Sequence, residues 1–220
     1  MPKSTVHLLR HGEVFNPEGI LYGRIPGYGL SELGFEMARR AGEHFAEQHQ
    51  AGVKLVRVVA SPLLRAQQTA EPTASTLDLP IHTDERVIEA GNRFEGMSKV
   101  ATQLRQPKYW SYVRNPFKPS WGEAYRDQVT RMREAMQEHR QAAVREAGDG
   151  AEVVIVSHQL PIWVTRRASQ GQRLWHDPRQ RECTLTSVTS FEFEGDQLVD
   201  LRYTEPNADL LAGAANIPGA

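Results

Sequence analysis

A chain of 220 residues in which 40% of the side chains are hydrophobic can bury the core of one α/β domain. Its formal net charge of -1 supplies no global field that would draw it to nucleic acid or an anionic membrane. One cysteine, Cys183, excludes an internal disulfide and suits a reducing compartment. No repeat or low-complexity linker divides the chain, so residues 1–220 read as a single domain. Met1 to Thr5 run straight into a strand-like segment and leave no room for a signal peptide. The longest apolar runs, such as Val153-Val154-Ile155-Val156, are far too short to span a bilayer. The expectation is a soluble, cytoplasmic protein.

Val6 to Leu9 is a strand-like run that ends in Arg10-His11-Gly12-Glu13. Gly12 predicts a sharp backbone turn at that point. Arg10 and His11 then sit at the carboxyl end of a strand, where open α/β sheets bind ligands. A guanidinium pairs with phosphate oxygens, and an imidazole beside it can act as nucleophile or base. A Gly- and Pro-rich loop follows from Val14 to Leu30 and contains Asn16, Tyr22, Gly23 and Arg24. Ser31 is the expected N-cap of a helix whose buried stripe is Leu33, Met37, Ala41 and Phe45. Gly52 closes it, and Lys54 to Ala60 reads as the second strand.

Ser61-Pro62 predicts another helix start, with Ser61 as N-cap and Pro62 at the first helical position. Arg65 then lies about one turn into that helix, near its electropositive end. Pro80 to Ile88 holds a short strand or two and leads to Glu89. Asn92 to Gly122 has no clean period and mixes Arg and Lys with Phe, Tyr and Trp. Such a mixture can bind nucleic acid, but no nucleic-acid motif accompanies it. The reading is an irregular lid over residues 92–122 that sets substrate selectivity.

Glu123 to Glu146 reads as a long helix with apolar sites at Val129, Met132, Met136 and Ala143, ended by Gly148-Asp149-Gly150. Glu152 to Val156 is the clearest buried strand, and it leads to Ser157-His158 and a helix to about Gln170. Ser187–Phe193 and Gln197–Tyr203 alternate around Gly195-Asp196 as a β-hairpin. The Ala- and Gly-rich tail from Glu205 is expected to be loosely attached. Strands that alternate with helices argue for a largely parallel sheet. Its carboxyl edge would gather Arg10, His11, Arg65 and His158 into one pocket.

Arg10-His11-Gly12-Glu13, then Ser61-Pro62-Leu63-Leu64-Arg65-Ala66-Gln67-Gln68-Thr69-Ala70, then Val156-Ser157-His158 resemble the histidine phosphatase superfamily, the phosphoglycerate-mutase-like proteins. The order and spacing match over roughly residues 5–203. The resemblance implies a three-layer α/β/α sandwich with a mostly parallel central sheet and a C-terminal β-hairpin. It implies that His11 is the phospho-accepting nucleophile and that Arg10, Arg65 and His158 form the phosphate pocket. Glu89 matches the position of the usual proton donor. Another branch carries its acid just after the late His, where this chain has Gln159, which cannot donate as an acid. Asn16, Gly23, Arg24 and Gln159 are further candidates for phosphate or substrate contact. Family members often place Asn six residues after the nucleophile, whereas Asn16 lies five after His11.

The basic segment with which the mutases grip a phosphoglycerate is not recognisable between Glu89 and Trp121. The expected function is therefore a phosphomonoesterase acting on a small phosphorylated metabolite through a phosphohistidine on His11. The alternatives are a cofactor-dependent phosphoglycerate mutase and a catalytically weak phospho-ligand binder. No cofactor is implied. A metal site is disfavoured because Arg10 repels a cation beside His11 and no Cys-x-x-Cys pair exists. The expected partner is a small-molecule phosphate monoester, with neither nucleic acid nor membrane. Trp163, Leu174 and Trp175 are the candidate exposed apolar positions for a homodimer.

Overall fold

Val153, Val154, Ile155 and Val156 are all fully buried, as a strand covered on both faces requires. They lie in β4 (Ala151–Ser157). Successive side chains point to opposite faces of a strand, so the run feeds two cores. Val153 and Ile155 join Met132 and Met136 of α3 (Tyr125–Ala147) and Ile162 of α4 (Gln159–Ser169). Val154 and Val156 join Phe45 of α1 (Glu32–Gln50) and Ala66 and Ala70 of α2 (Leu64–Leu77). The molecule is thus a three-layer α/β/α sandwich. The computed structural model describes residues 1–98, 102, 106–111 and 121–214.

The remaining strands are β1 (Lys3–Arg10), β2 (Lys54–Ala60), β3 (Ile81–Thr83), β5 (Val188–Glu194) and β6 (Gln197–Thr204). Their order across the sheet is β3-β2-β4-β1-β5-β6. The first four in that order run parallel, and β5 and β6 form the antiparallel hairpin. The chain moves outwards from β1 to β2 and β3, then returns to insert β4 between β2 and β1. This insertion aligns three carboxyl ends. Arg10 pairs with Ser157, and Ala60 pairs with Val156. The Ser61 amide continues the ladder to the Val156 carbonyl at 3.0 Å.

Ser31 caps α1 as expected, its hydroxyl accepting from the Gly34 amide at 3.0 Å. Gly12 has a different role from the expected turn. Its φ is not in the left-handed region. A Cβ there would meet the Gly34 carbonyl oxygen at 2.7 Å, and a Cβ on Gly34 would meet the Glu13 carbonyl oxygen at 2.0 Å. These two glycines let the backbone after β1 press directly on the first turn of α1. Gly34→Ala should therefore force the two backbones apart and destabilise the fold by roughly 1–3 kcal/mol. A urea midpoint equal to wild type would show that the approach is not tight.

Two further expectations are corrected. The second helix begins at Leu64, with Leu63 at the N-cap position, so Ser61 and Pro62 lie before it and Arg65 falls within its first turn. The segment after Glu205 is docked as far as residue 214. Asn207 is buried, and its amide donates to the Met37 carbonyl at 2.9 Å and to Thr186 Oγ1 at 2.8 Å. The expected lid begins as a built wall. The Leu21 amide bonds to the Met97 carbonyl, and the Gly96 amide to the Leu21 carbonyl, each at 2.9 Å. Most of residues 99–120 lie outside the described residues. Among the described residues, no helix is long and apolar enough to cross a membrane. Trp163 is buried, while Trp175 is 49% exposed.

Candidate active site

β1 delivers Arg10 and His11 to the carboxyl edge, and both are almost completely buried. The His11 backbone amide is held by the Ser157 carbonyl at 3.1 Å. Its ring Nδ1 lies 2.8 Å from the Gly12 carbonyl. A carbonyl can only accept, so Nδ1 carries the proton and Nε2 keeps its lone pair. That Nε2 is buried and has no hydrogen-bond partner among the described residues. The ring centroid lies 5.2 Å from that of His158.

His158 occupies the N-cap position of α4, directly after β4. Its Nε2 lies 2.7 Å from Ser61 Oγ, which accepts from the Leu63 amide at 3.4 Å. The other ring nitrogen, Nδ1, is buried and has no partner among the described residues. The serine expected to cap α2 thus orients a histidine.

Arg65 reaches the same edge from the first turn of α2. Its Nη2 donates to the Gly23 carbonyl at 2.7 Å, and its guanidinium carbon lies 4.6 Å from the Tyr22 ring centroid. Arg10 Nη1 donates to the Cys183 carbonyl at 2.7 Å. Helices α2 and α4 both begin at this edge, so both positive dipole ends favour an anion there.

Glu89 enters from the segment after β3 and is buried. The Ser157 hydroxyl holds the Val87 carbonyl at 2.7 Å, and Arg24 Nε holds the Glu89 carbonyl at 2.6 Å. The Glu89 carboxylate accepts from the Ala90 amide at 2.7 Å. Burial pushes this carboxyl above its usual range, against that amide and the fields of Arg65, Arg181 and Arg131. The other four residues divide by what they already hold. Asn16 donates to the Ile20 carbonyl and accepts from the Ile20 amide, closing its own loop. Gly23 contributes its carbonyl to Arg65. Arg24 also pairs with Glu123 at 2.8 Å. Gln159 accepts from Arg181 at 3.2 Å and donates to the Cys183 carbonyl at 3.3 Å. Sequence reasoning passed over Ser61 as an orienting group, Tyr22 as the platform under Arg65, and Arg181. Arg181 lies outside regular structure and has no periodic or motif signal.

Burial, followed by the charges of Arg65 and Arg10, holds His11 well below the usual histidine range. Burial and Arg65 do the same to His158. His176 is lowered to about 4, chiefly by burial. Unfolding returns each ring to about 6.5. Below that pH the unfolded chain takes up protons that the folded protein does not. Stability present above pH ~6.5 is therefore lost as the pH falls towards the folded values. The urea midpoint should drop between about pH 7.5 and pH 5. A constant midpoint over that window would show that the rings protonate in place.

Two histidines, two arginines and a buried carboxyl thus lie along one edge where two helix N-termini favour an anion. The chain belongs to the histidine phosphatase superfamily (branch 1), matched over residues 6–205. It is 49% identical over 211 residues to an uncharacterized protein of Mycobacterium tuberculosis (strain ATCC 25618 / H37Rv), covering 94% of this chain and 100% of that one. It is 36% identical over 85 residues to a 2,3-bisphosphoglycerate-dependent phosphoglycerate mutase of Thermoplasma acidophilum, covering 38% of this chain and 40% of the mutase. Among solved structures, mycobacterial glucosyl-3-phosphoglycerate phosphatase superposes with a TM-score of 0.71 at 22% identity, over 91% of this chain and 97% of that chain.

Proposed function

We propose that the protein hydrolyses a small phosphate monoester through a phosphohistidine on His11 Nε2. The observation that carries this reading is the His11 ring. One nitrogen is locked as a donor to the Gly12 carbonyl, and the other is buried, neutral and unpartnered among the described residues beside Arg65. Phosphate oxygens lie on Arg10, Arg65 and His158, which take up the charge spread over the equatorial oxygens. His11 Nε2 forms the P–N bond as the ester P–O bond breaks. The leaving alkoxide takes its proton from Glu89. In the second half, the Glu89 carboxylate removes a proton from water, whose oxygen bonds to phosphorus as the P–N bond breaks.

A phosphatase screen over sugar phosphates, phosphoglycerates, nucleotides and phosphopeptides tests the reading, scored by inorganic phosphate release. Absence of release across the panel and with nitrophenyl phosphate would overturn it. The partial match to a mutase favours a second reading, transfer between phosphoglycerate positions. A coupled mutase assay on the same sample separates the two.

A further inference from the structure

Beside the phosphate pocket lies a cavity of about 70 Å³ whose walls include Glu89, Trp121, Tyr125, Leu160, Pro178 and Arg181. Gly23 also borders it, and the Gly23 carbonyl holds Arg65. The cavity therefore adjoins the phosphate pocket on the side of the proposed proton donor. That is the side from which the leaving group departs.

Arg181 is fixed there by two neutral partners. Its Nη1 donates to Gln159 Oε1 at 3.2 Å, and its Nε donates to His176 Nε2 at 2.9 Å. His176 can accept because its Nδ1 donates to the Leu174 carbonyl at 2.7 Å. The ring is set against Tyr125 and Trp163, with centroids at 5.6 and 6.0 Å. Nη2 of Arg181 donates to no acceptor among the described residues.

The local charges are unequal. Arg24 and Arg131 share the single carboxylate of Glu123. A phosphate dianion answers Arg10 and Arg65. Arg181 has no ion-pair partner within the described residues, and the nearby Glu89 carries a proton in its acid role. A half-buried guanidinium without a counter-charge favours an anion.

We propose that Arg181 binds a carboxylate on the leaving group of the substrate, making it a specificity-determining residue for carboxylate-bearing phosphate monoesters. This rests on the phosphatase reading above. One uncompensated positive charge balances a monoanionic carboxylate better than a dianionic second phosphoryl group, and the guanidinium keeps N–H groups free for it. The positioning chain from Tyr125 and Trp163 through His176 holds the guanidinium in place before substrate arrives, which reduces the ordering cost of binding.

The test compares kcat/KM for 3-phosphoglycerate and glycerol 3-phosphate, two alkyl phosphates that differ in a carboxylate, with glycerol 1,3-bisphosphate as a third arm. Wild type should favour 3-phosphoglycerate over glycerol 3-phosphate. Arg181→Gln should reduce that ratio by about 10- to 100-fold, mainly through KM, and Arg181→Lys should restore part of it. A purely structural role would lower both rates and leave the ratio alone, which would overturn the proposal. So would a wild type without preference, or one whose Arg181-dependent preference is for the bisphosphate.

Calorimetric binding of the same ligands to His11→Ala keeps the two readings apart. A carboxylate preference in binding that a further Arg181→Gln removes, together with a wild type that turns over none of these esters nor nitrophenyl phosphate, sustains the subsite and rejects the phosphatase. Turnover of nitrophenyl phosphate with no carboxylate preference in either measurement rejects the subsite and sustains the phosphatase.

Discussion

His11→Ala should lower turnover of any phosphate ester by at least about 10,000-fold, because the other groups of the site bind and polarise but cannot replace the bond-forming atom. The geometry makes this prediction sharper than a general loss of activity. His11 Nδ1 is committed to the Gly12 carbonyl, so only Nε2 is free to attack. The ring is kept neutral by burial and by Arg65 and Arg10. Brief incubation of wild type with labelled ester, followed by alkaline denaturation, should trap a phosphoprotein that acid destroys. His11→Ala should show none. A label that survives the substitution would move the nucleophile elsewhere. His158, at a centroid distance of 5.2 Å, would be the first ring to replace.

Glu89→Gln should separate substrates by their leaving groups. An alkoxide needs a proton as the ester bond breaks, whereas a nitrophenolate leaves unaided. The substitution keeps size and polarity but removes the proton. Single-turnover phosphorylation of His11 from an alkyl phosphate should slow by ~100- to 10,000-fold, and that from nitrophenyl phosphate should change little by comparison. The pH dependence has a defined sign. Burial raises the Glu89 pKa, so the acid form persists to higher pH than in a free carboxylate. Phosphorylation by an alkyl phosphate in wild type should therefore fall as pH rises through that raised value, and phosphorylation by nitrophenyl phosphate should not. Equal losses for both esters in Glu89→Gln would show that Glu89 binds or positions substrate. If neither rate changes, the donor is another group. Glu13 is the next carboxylate to examine, although the Ser31 hydroxyl already holds it.

The placing of the chemistry was legible because it depends on local patterns. Short apolar runs mark β1, β2 and β4, and polar groups stand at or just after each carboxyl end. Parallel strands must bring those ends to one edge. Lys54–Ala60 matches its predicted strand bounds, and Ser31 caps α1 as its chemistry suggests. The family motifs lie on these same segments. They carry residues whose backbone positions are set by the ladder, so sequence order translates directly into space.

What sequence could not determine depends on groups far apart in the chain. Ser61 reads as a cap because its neighbours are a Pro and a helix. Only the pairing of β2 with β4 brings it to His158, whose Nε2 lies 2.7 Å from the Ser61 hydroxyl. Gly12 reads as a turn, and only the docking of α1 shows that Gly34 leaves no room for a side chain. The tail reads as loose from its composition, yet Asn207 finds buried partners on α1 and before β5. By itself the sequence determined the order of strands and helices and the residues at their ends, because hydrophobic period and capping act over a few residues. The tertiary structure alone decided which nitrogen of each histidine faces the pocket, how burial shifts Glu89, and where Arg181 stands, because tautomer, desolvation and charge balance are set by groups that meet only when the sheet is assembled.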